Sequence, residues 1–319
     1  MSEDVTARNR LAQLVAELES LHPRTAAVIS RYTDEIAQLE SENDIGVLKY
    51  EADYWAKVAY RNALIKVRLL LEQNFKFIET LGVLAVTRYV FEVLIWLRCI
   101  DRNPDYGLVF FRQAIENQLD HLKGQKKQVE VEIALFEALE KEESRMFKEV
   151  VTRIADDKTK RPDQLTLEMA RAKDFIETEI DRQARRSFSL YAKQAKTNGF
   201  GFQAHLLRTQ GMSELEDQIL TVSAERNAFD ERCRPEVLKV AQSRWDWSQR
   251  AREVNMQNQY EFLYRYTSRL LHATAGSVFT DQQNLELAEI LVFLDYVYVT
   301  MLDSLELAET RIGIKPKLD

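Results

Sequence analysis

Glycine and proline are scarce in this sequence. There are 9 Gly and 5 Pro in 319 residues, whereas average usage of about 7% and 5% would give roughly 22 and 16. Because a multi-stranded sheet needs many turns, this shortage argues against one. Hydrophobic residues make up 45% of the chain and charged residues 30%, which is enough for a core and excludes wholesale disorder. The sequence therefore predicts an all-α protein without substantial sheet.

Cysteine and histidine are also few. Cys99 and Cys233 have neither the pairing of a disulfide framework nor the spacing of a zinc site. With only 4 histidines, no set of metal ligands is recognisable. The chain contains no glycine-rich phosphate loop, His-Glu-x-x-His helix, nucleophile elbow or Cys-x-x-Cys motif. These absences exclude most familiar enzyme classes, and we expect neither a metal nor another cofactor.

Strong positive charge and a signal peptide are absent as well. The net charge of −7 disfavours general attraction to nucleic acid or to an anionic membrane, and the acidic N-terminus lacks the basic and apolar regions of a signal peptide. The most hydrophobic run, Leu81 to Ile100, has about the length of a membrane span but contains Arg88, Glu92 and Arg98. We expect a cytoplasmic protein without membrane association, in which this run is a buried core helix.

The N-terminal 44 residues carry leucines at helical spacing. Leu11, Leu14, Leu18 and Leu21 form a stripe that resumes beyond Pro23. This pattern predicts a helical hairpin or coiled-coil arm over residues 1–44. Two to three heptads do not separate an amphipathic helix packed on its own domain from an arm for dimerisation or for a protein partner.

Residues 45–319 are predicted to form a helical bundle. Its middle segment, about 108–196, is charged and helical, and the C-terminal helices span residues 213–310. Several finer boundaries are also expected. In the first half of the bundle they are a break at Gly82, a turn at residues 101–105, and a helix from Pro162 to about Lys196 that is followed by a loop at residues 198–202. In the second half they are a capping box of Ser213 with Glu216, one helix from Pro235 to about His272, and Asp281 as the cap of the last helix.

A polar stripe is predicted on the helix that ends near His272. At 100° per residue, five polar residues share a sector about 100° wide, with apolar and aromatic residues such as Tyr264 on both flanks. The five are Glu261, Arg265, Ser268, Arg269 and His272. Such a strip is typical of the wall of a pocket, or of a satisfied structural network in which Glu261 pairs with Arg265 and Ser268 with His272.

Two charges lie on the apolar face of the predicted central helix. Arg88 and Glu92 are four residues apart, and burying them unpaired would cost several kcal/mol. We therefore expect a buried pair in the centre of the bundle, facing the polar stripe. The pair is either structural or part of a functional site.

The segment from Asp181 to Gln210 is basic, with six cations against one carboxylate and with aromatic residues interleaved. Cations follow phosphates and aromatic faces stack on bases, so the segment is predicted to bind RNA through Arg182, Arg185, Arg186, Lys193 and Lys196. Aromatic residues at helical spacing are also typical of a core.

The run from Tyr264 to Thr274 resembles the signature of a family of uncharacterised bacterial helical proteins. In that family a Tyr-Arg-x-x-Ser-x-x-x-His stretch accompanies an Arg-x-x-x-Glu helix, here Arg88 to Glu92. The same run resembles the Arg-x4-6-His motif of HEPN domains, which are all-α modules of bacterial toxins, abortive-infection systems and CRISPR ribonucleases. Six residues separate Arg265 from His272, and Tyr266 stands where the HEPN pattern usually has a polar residue.

The HEPN resemblance implies metal-independent RNA cleavage, or RNA binding, in bacterial defence or stress. It implies a homodimer in which two motifs share a cleft. In such a site His272 is the general acid or base, Arg265 holds the scissile phosphate, and Ser268 and Arg269 orient the phosphate or the imidazole. The supporting residues are Arg88, Glu92, Glu261 and Tyr264. The alternative is a non-enzymatic helical interaction or scaffold protein whose polar stripe is structural.

Overall fold

The computed structural model describes residues 2–73, 79–156, 161–271 and 285–314. These residues form helices and contain no strand, which confirms the all-α class. The helices are α1 (Ser2–Glu42), α2 (Ile45–Leu48), α3 (Ala52–Gln73), α4 (Thr80–Arg102), α5 (Tyr106–Asp156), α6 (Pro162–Arg186), α7 (Ala192–Asn198), α8 (Phe200–Leu206), α9 (Met212–Arg232), α10 (Pro235–Ala241), α11 (Trp247–Glu253), α12 (Gln257–Leu271) and α13 (Leu287–Arg311), with a π-helical turn (Leu207–Gly211) between α8 and α9.

The chain divides into two units. Unit 1 comprises Met1–Gln113 and Phe229–Asp319, and unit 2 comprises Ala114–Ala228. This division differs from the boundary predicted after residue 44. The physical reason is that α1 packs along α3 and α13, so the N-terminal helix belongs to unit 1.

α4 is the central helix of unit 1. It packs against α3, α11, α12 and α13, and its residues Leu84, Ile95 and Leu97 are completely buried. By length and composition it is the one helix of the described chain apolar enough to cross a membrane. Since the core helix of a folded domain has the same composition, these contacts account for its sequence.

α1 is one continuous helix rather than a hairpin, and it passes through Pro23. Proline removes one backbone hydrogen bond, but tertiary contacts hold α1 on both sides of it. Leu14 and Leu18 are completely buried. Arg24 donates to both carboxylate oxygens of buried Glu309 on α13, at 2.7 and 2.6 Å. The leucine stripe is therefore covered by the chain's own core. α1 is the amphipathic helix packed on its own domain, which was one of the two alternatives, and the hairpin or arm expected over residues 1–44 is wrong.

Unit 2 is held by α5, α6 and the short helices that follow. Phe136 of α5 and Ile180 of α6 are completely buried in its core. Glu132, also completely buried, accepts hydrogen bonds from the backbone N–H groups of Leu190 and Tyr191 at 2.7 and 3.1 Å. This carboxylate holds the segment just before α7. α6 ends at Arg186 instead of continuing to Lys196 as predicted, because Phe188 adopts a left-handed conformation at φ 52° between the two helices.

Other predicted boundaries are wrong for local reasons. Gly199, at φ 92°, separates α7 from α8, so the expected loop at residues 198–202 is a helix junction at one glycine. Ser213 caps nothing, because the π-helical turn carries α8 directly into α9. The helix expected from Pro235 to His272 is three helices, since Asp246 caps α11 and Asn255, at φ 60°, precedes α12.

The start of the bundle also differs in detail from the prediction. Asp44 caps the short helix α2 by accepting from the N–H of Gly46 at 2.7 Å, and a second helix, α3, then follows. Gly82 lies inside α4, which begins at Thr80, so the expected break precedes this glycine. Glu286 is the N-cap of α13; the predicted cap Asp281 lies outside the described residues.

The α1 stripe generates a stability prediction. Leu18→Ala removes a completely buried side chain, so it should lower the free energy of unfolding by about 2 to 5 kcal/mol, measured by chemical denaturation. Val5→Ala on the same helix, where the side chain is 58% exposed, should change it by less than about 0.5 kcal/mol. If Leu18→Ala instead dissociated an oligomer and left protomer stability unchanged, the stripe would be an interface between chains.

Candidate functional site

The site begins on α4, where Arg88 and Glu92 form an ion pair. Arg88 Nε donates to Glu92 Oε1 at 2.9 Å. Their side chains are 29% and 24% exposed, so the pair lies at the edge of the unit 1 core. The expectation of a pair buried in the centre of the bundle is wrong, because the face of α4 that carries both side chains lies at its margin, where Arg88 contacts α12.

α12 supplies the other contacts of Arg88. Its Nη1 donates to the hydroxyl of Ser268 at 3.3 Å, and its guanidinium carbon lies 4.7 Å from the ring centroid of Tyr264. Tyr264 in turn stacks on Tyr260 with ring centroids 5.1 Å apart. A guanidinium held by a carboxylate, a hydroxyl and an aromatic face has a fixed position. The predicted polar stripe and the α4 pair therefore meet at Arg88.

The charge of Arg88 is secure. Burial lowers its pKa, but the hydrogen bond and the negative charge of Glu92 outweigh burial and hold the pKa above its ordinary value. Glu92 occupies Nε and Ser268 occupies Nη1, and the phenol of Tyr264 also forms a hydrogen bond with the guanidinium. An arginine offers five N–H donors. Arg88 thus has donors left for an anion on its exposed side.

The rest of the stripe faces solvent. Glu261 and Arg265 are exposed, whereas Leu263 and Thr267, on the opposite side of α12, are buried. Glu261 accepts a hydrogen bond from Gln257 at 2.9 Å. In the described part of the chain Arg265 has no ion pair with Glu261 or with any other residue, so the Glu261–Arg265 pair expected of a structural network is wrong. This side of α12 is an accessible polar surface.

We call this surface the α12 polar surface. Its described members are Arg88, Glu261, Tyr264, Arg265 and Ser268. Arg269 lies on the same helix, but its side chain is outside the described residues, and so is the whole of His272. The structure thus brings Arg88, Glu92, Tyr264 and Ser268 together and places Arg265 one residue beyond Tyr264 on α12.

The basic segment belongs to unit 2, whereas the α12 polar surface belongs to unit 1. Arg182 is bound by both carboxylate oxygens of Glu179, at 2.8 and 2.7 Å. Asp181 accepts from Arg185 at 2.6 Å and from Lys196 at 3.4 Å. Arg186 and Lys193 are exposed. Much of the positive charge predicted for this segment is therefore neutralised by its own helix, in part by Glu179, which precedes the basic run.

An apolar cleft in unit 1 was missed in the sequence. Its wall includes Tyr89, Val93, Trp96 and Ile100 of α4 together with Trp247. The first four recur at steps of four, three and four residues, which places them on one helix face. The spacing shows that these side chains share one face of α4. Only the tertiary structure shows that this face lines a cleft and is not packed in the core.

The chain matches no family model, no curated protein and no solved structure. Within the described ranges, no three His, Cys, Asp or Glu side chains are grouped so that they could hold a metal ion. The candidate site therefore depends on its own geometry and on the sequence resemblance.

The half-buried position of the α4 pair predicts a modest energetic role. Glu92→Ala should lower the free energy of unfolding by about 1 to 2 kcal/mol, because it removes one charged hydrogen bond that is partly screened by solvent. Glu92→Gln, which keeps an acceptor near Arg88, should cost less. A loss of about 3 to 5 kcal/mol in denaturant unfolding of Glu92→Ala would mean that the pair behaves as a buried one.

Proposed function

We propose that the α12 polar surface binds the phosphodiester backbone of RNA and, together with His272, cleaves it without a metal ion. The observation that carries this proposal is the exposure of the stripe. Arg265 faces solvent, and Arg88 reaches the same helix from α4 through Ser268. A purely structural network would instead bury its charges and pair them with one another.

The arrangement suits a phosphate for two reasons. Guanidinium groups bind phosphate oxygens through paired N–H donors, and Arg88 and Arg265 supply two such groups around Ser268. Arg88 is also held in place before any ligand arrives, by Glu92 and by the ring of Tyr264. A fixed donor stabilises the charge that develops on a transferring phosphoryl group with little reorganisation.

The proposed chemistry divides the roles among the stripe residues. Arg265 and Arg88 hold the scissile phosphate, and Ser268 and Arg269 orient it. His272, whose ordinary pKa of about 6.5 suits proton transfer in either direction, is the general acid or base. Tyr264 and Glu92 are positioning residues, because they act through Arg88.

The proposed setting is bacterial defence or stress, with a homodimer as the active form. The resemblance to HEPN domains supports both statements. The N-terminal leucine stripe no longer supports a dimer, since Leu14 and Leu18 are buried within their own unit. The basic segment is an additional RNA contact in this proposal, chiefly through Arg186 and Lys193.

The proposal predicts that the purified protein cleaves RNA and that two substitutions abolish cleavage. Arg265→Ala and His272→Ala should each lower the single-turnover rate by roughly two to four decades. The melting temperature of Arg265→Ala should change little, because Arg265 is exposed. Chelator should leave the rate unchanged. Arg252→Ala, an exposed arginine on α11, is the matched control and should cleave as wild type does.

Two outcomes would contradict the nuclease proposal. One is wild-type protein that leaves diverse RNAs intact, including in the presence of the products of its neighbouring genes. The other is cleavage by His272→Ala at the wild-type rate, which would assign the activity to a contaminant or to another site.

A non-enzymatic interaction protein is the second candidate, and one observation favours it. An apolar groove of about 320 Å³ lies between α12 and α13, with Phe262 63% and Val292 68% exposed at its wall. Exposed apolar surface of this kind marks protein contacts. Under this candidate no RNA is cleaved, and Arg265→Ala changes neither turnover nor melting temperature.

A further inference from the structure

Unit 1 contains a cleft of about 370 Å³ that the proposed RNA site does not use. Its apolar wall includes Ala63 of α3, Trp96 of α4, Phe110 of α5 and Trp247 of α11, and its polar groups include Lys66 and Tyr89. Sites for small molecules have volumes of roughly 300 to 1,000 Å³, with aromatic walls and few polar groups. The cleft meets that description at the small end of the range.

The aromatic wall is held in place by further stacking behind it. Trp96 stacks on Trp245 with ring centroids 3.9 Å apart and interplanar angle 10°, and it meets Phe110 edge-on at 5.5 Å. Trp247 in turn packs edge-on against Trp245 at 5.6 Å. A wall of interlocked rings changes little when a ligand binds, which favours a flat aromatic ligand over a flexible one.

The charges around the cleft favour an anion. Glu92 also contributes to the wall, and its Oε1 is paired with Arg88. Lys66 is exposed and has no ion pair with any other residue in the described ranges. Burial, followed by the charge of Glu92, raises the pKa of Tyr89, so its phenol remains a hydrogen-bond donor at neutral pH. Asn62 also lines the cleft, and its side-chain oxygen accepts from Arg61. Among the described wall residues, Lys66 is thus the one charged group without an ion partner.

We propose that this cleft binds a small aromatic carboxylate. Its ring lies against Trp96 and Trp247, and its carboxylate accepts from Lys66 and from the phenol of Tyr89. This inference does not depend on RNA cleavage, and it stands or falls on binding alone.

The test uses the full chain labelled with 5-fluorotryptophan and naphthalene-2-carboxylate as the probe, followed by fluorine NMR. The chain has four tryptophans, so each resonance is assigned by one Trp→Phe variant. The resonances of Trp96 and Trp247 should shift saturably with probe concentration. Trp55 stacks on Phe111 and is absent from the cleft wall, so its resonance should stay in place.

Matched variants test the charge and the location. Lys66→Gln should weaken binding roughly tenfold, as expected for loss of one charged hydrogen bond, while Lys239→Gln, an exposed lysine of α10, should bind as wild type does. Ala63→Leu should fill the cleft and abolish the shifts. The neutral analogue naphthalen-2-ylmethanol should bind as weakly to wild type as the carboxylate binds to Lys66→Gln.

Three results would overturn the inference. They are the absence of saturable shifts at Trp96 and Trp247, equal affinity for the carboxylate and the alcohol, and unchanged shifts in Ala63→Leu whose melting temperature matches wild type. The first denies the site, the second denies recognition of charge, and the third places the probe elsewhere.

Discussion

Burial of α4 is the constraint on which the rest of unit 1 depends. α4 (Thr80–Arg102) has apolar residues on nearly every side. α3, α11, α12 and α13 cover most of it, and the face of Tyr89, Val93 and Trp96 lines the open cleft. α1 then packs on α3 and α13. Charged residues of α4 can remain only at the margins between these neighbours. Arg88 and Glu92 occupy one such margin, beside α12.

At this margin Arg88 is both stabilised by neighbouring side chains and accessible to a ligand. Arg88 is stabilised by Glu92, Tyr264 and Ser268, so its burial cost is offset locally. It is still 29% exposed, next to the solvent-facing side of α12. In unit 2 the cations of the basic segment are largely bound by carboxylates of α6, among them Glu179. Exposed cations without an ion pair among the described residues remain in both regions, Arg265 on α12 and Arg186 and Lys193 in unit 2.

The helices were predictable where local chemistry decides the boundary. α4 ends at Arg102 because Asn103 and Pro104 follow it. Ser213 was mispredicted as a cap, because a cap signal is local, whereas the π-helical turn before it depends on the packing of unit 2. Pro23 was expected to end a helix for the same reason: proline weakens a helix locally, but the contacts of α1 with α3 and α13 outweigh that cost.

The sequence predicted which residues of the candidate site share one side of a helix, but not whether that side is buried or exposed. Helical periodicity correctly put Glu261, Arg265 and Ser268 on one side of α12, and it could not tell whether that side faces the core or the solvent. The answer depends on Leu263 and Thr267, which are buried on the opposite side. The link from Arg88 to Ser268 joins residues 180 positions apart, a distance that no local pattern encodes.

The most direct test of the central claim, that RNA binds at the α12 polar surface, is photocrosslinking to RNA containing 4-thiouridine, with the sites mapped by mass spectrometry. The account predicts crosslinks in the α12 peptide that contains Tyr264, and their loss in an Arg88→Ala, Arg265→Ala double variant that remains folded. Crosslinks confined to residues 182–196 of unit 2, or no crosslinks in the wild-type protein, would contradict it.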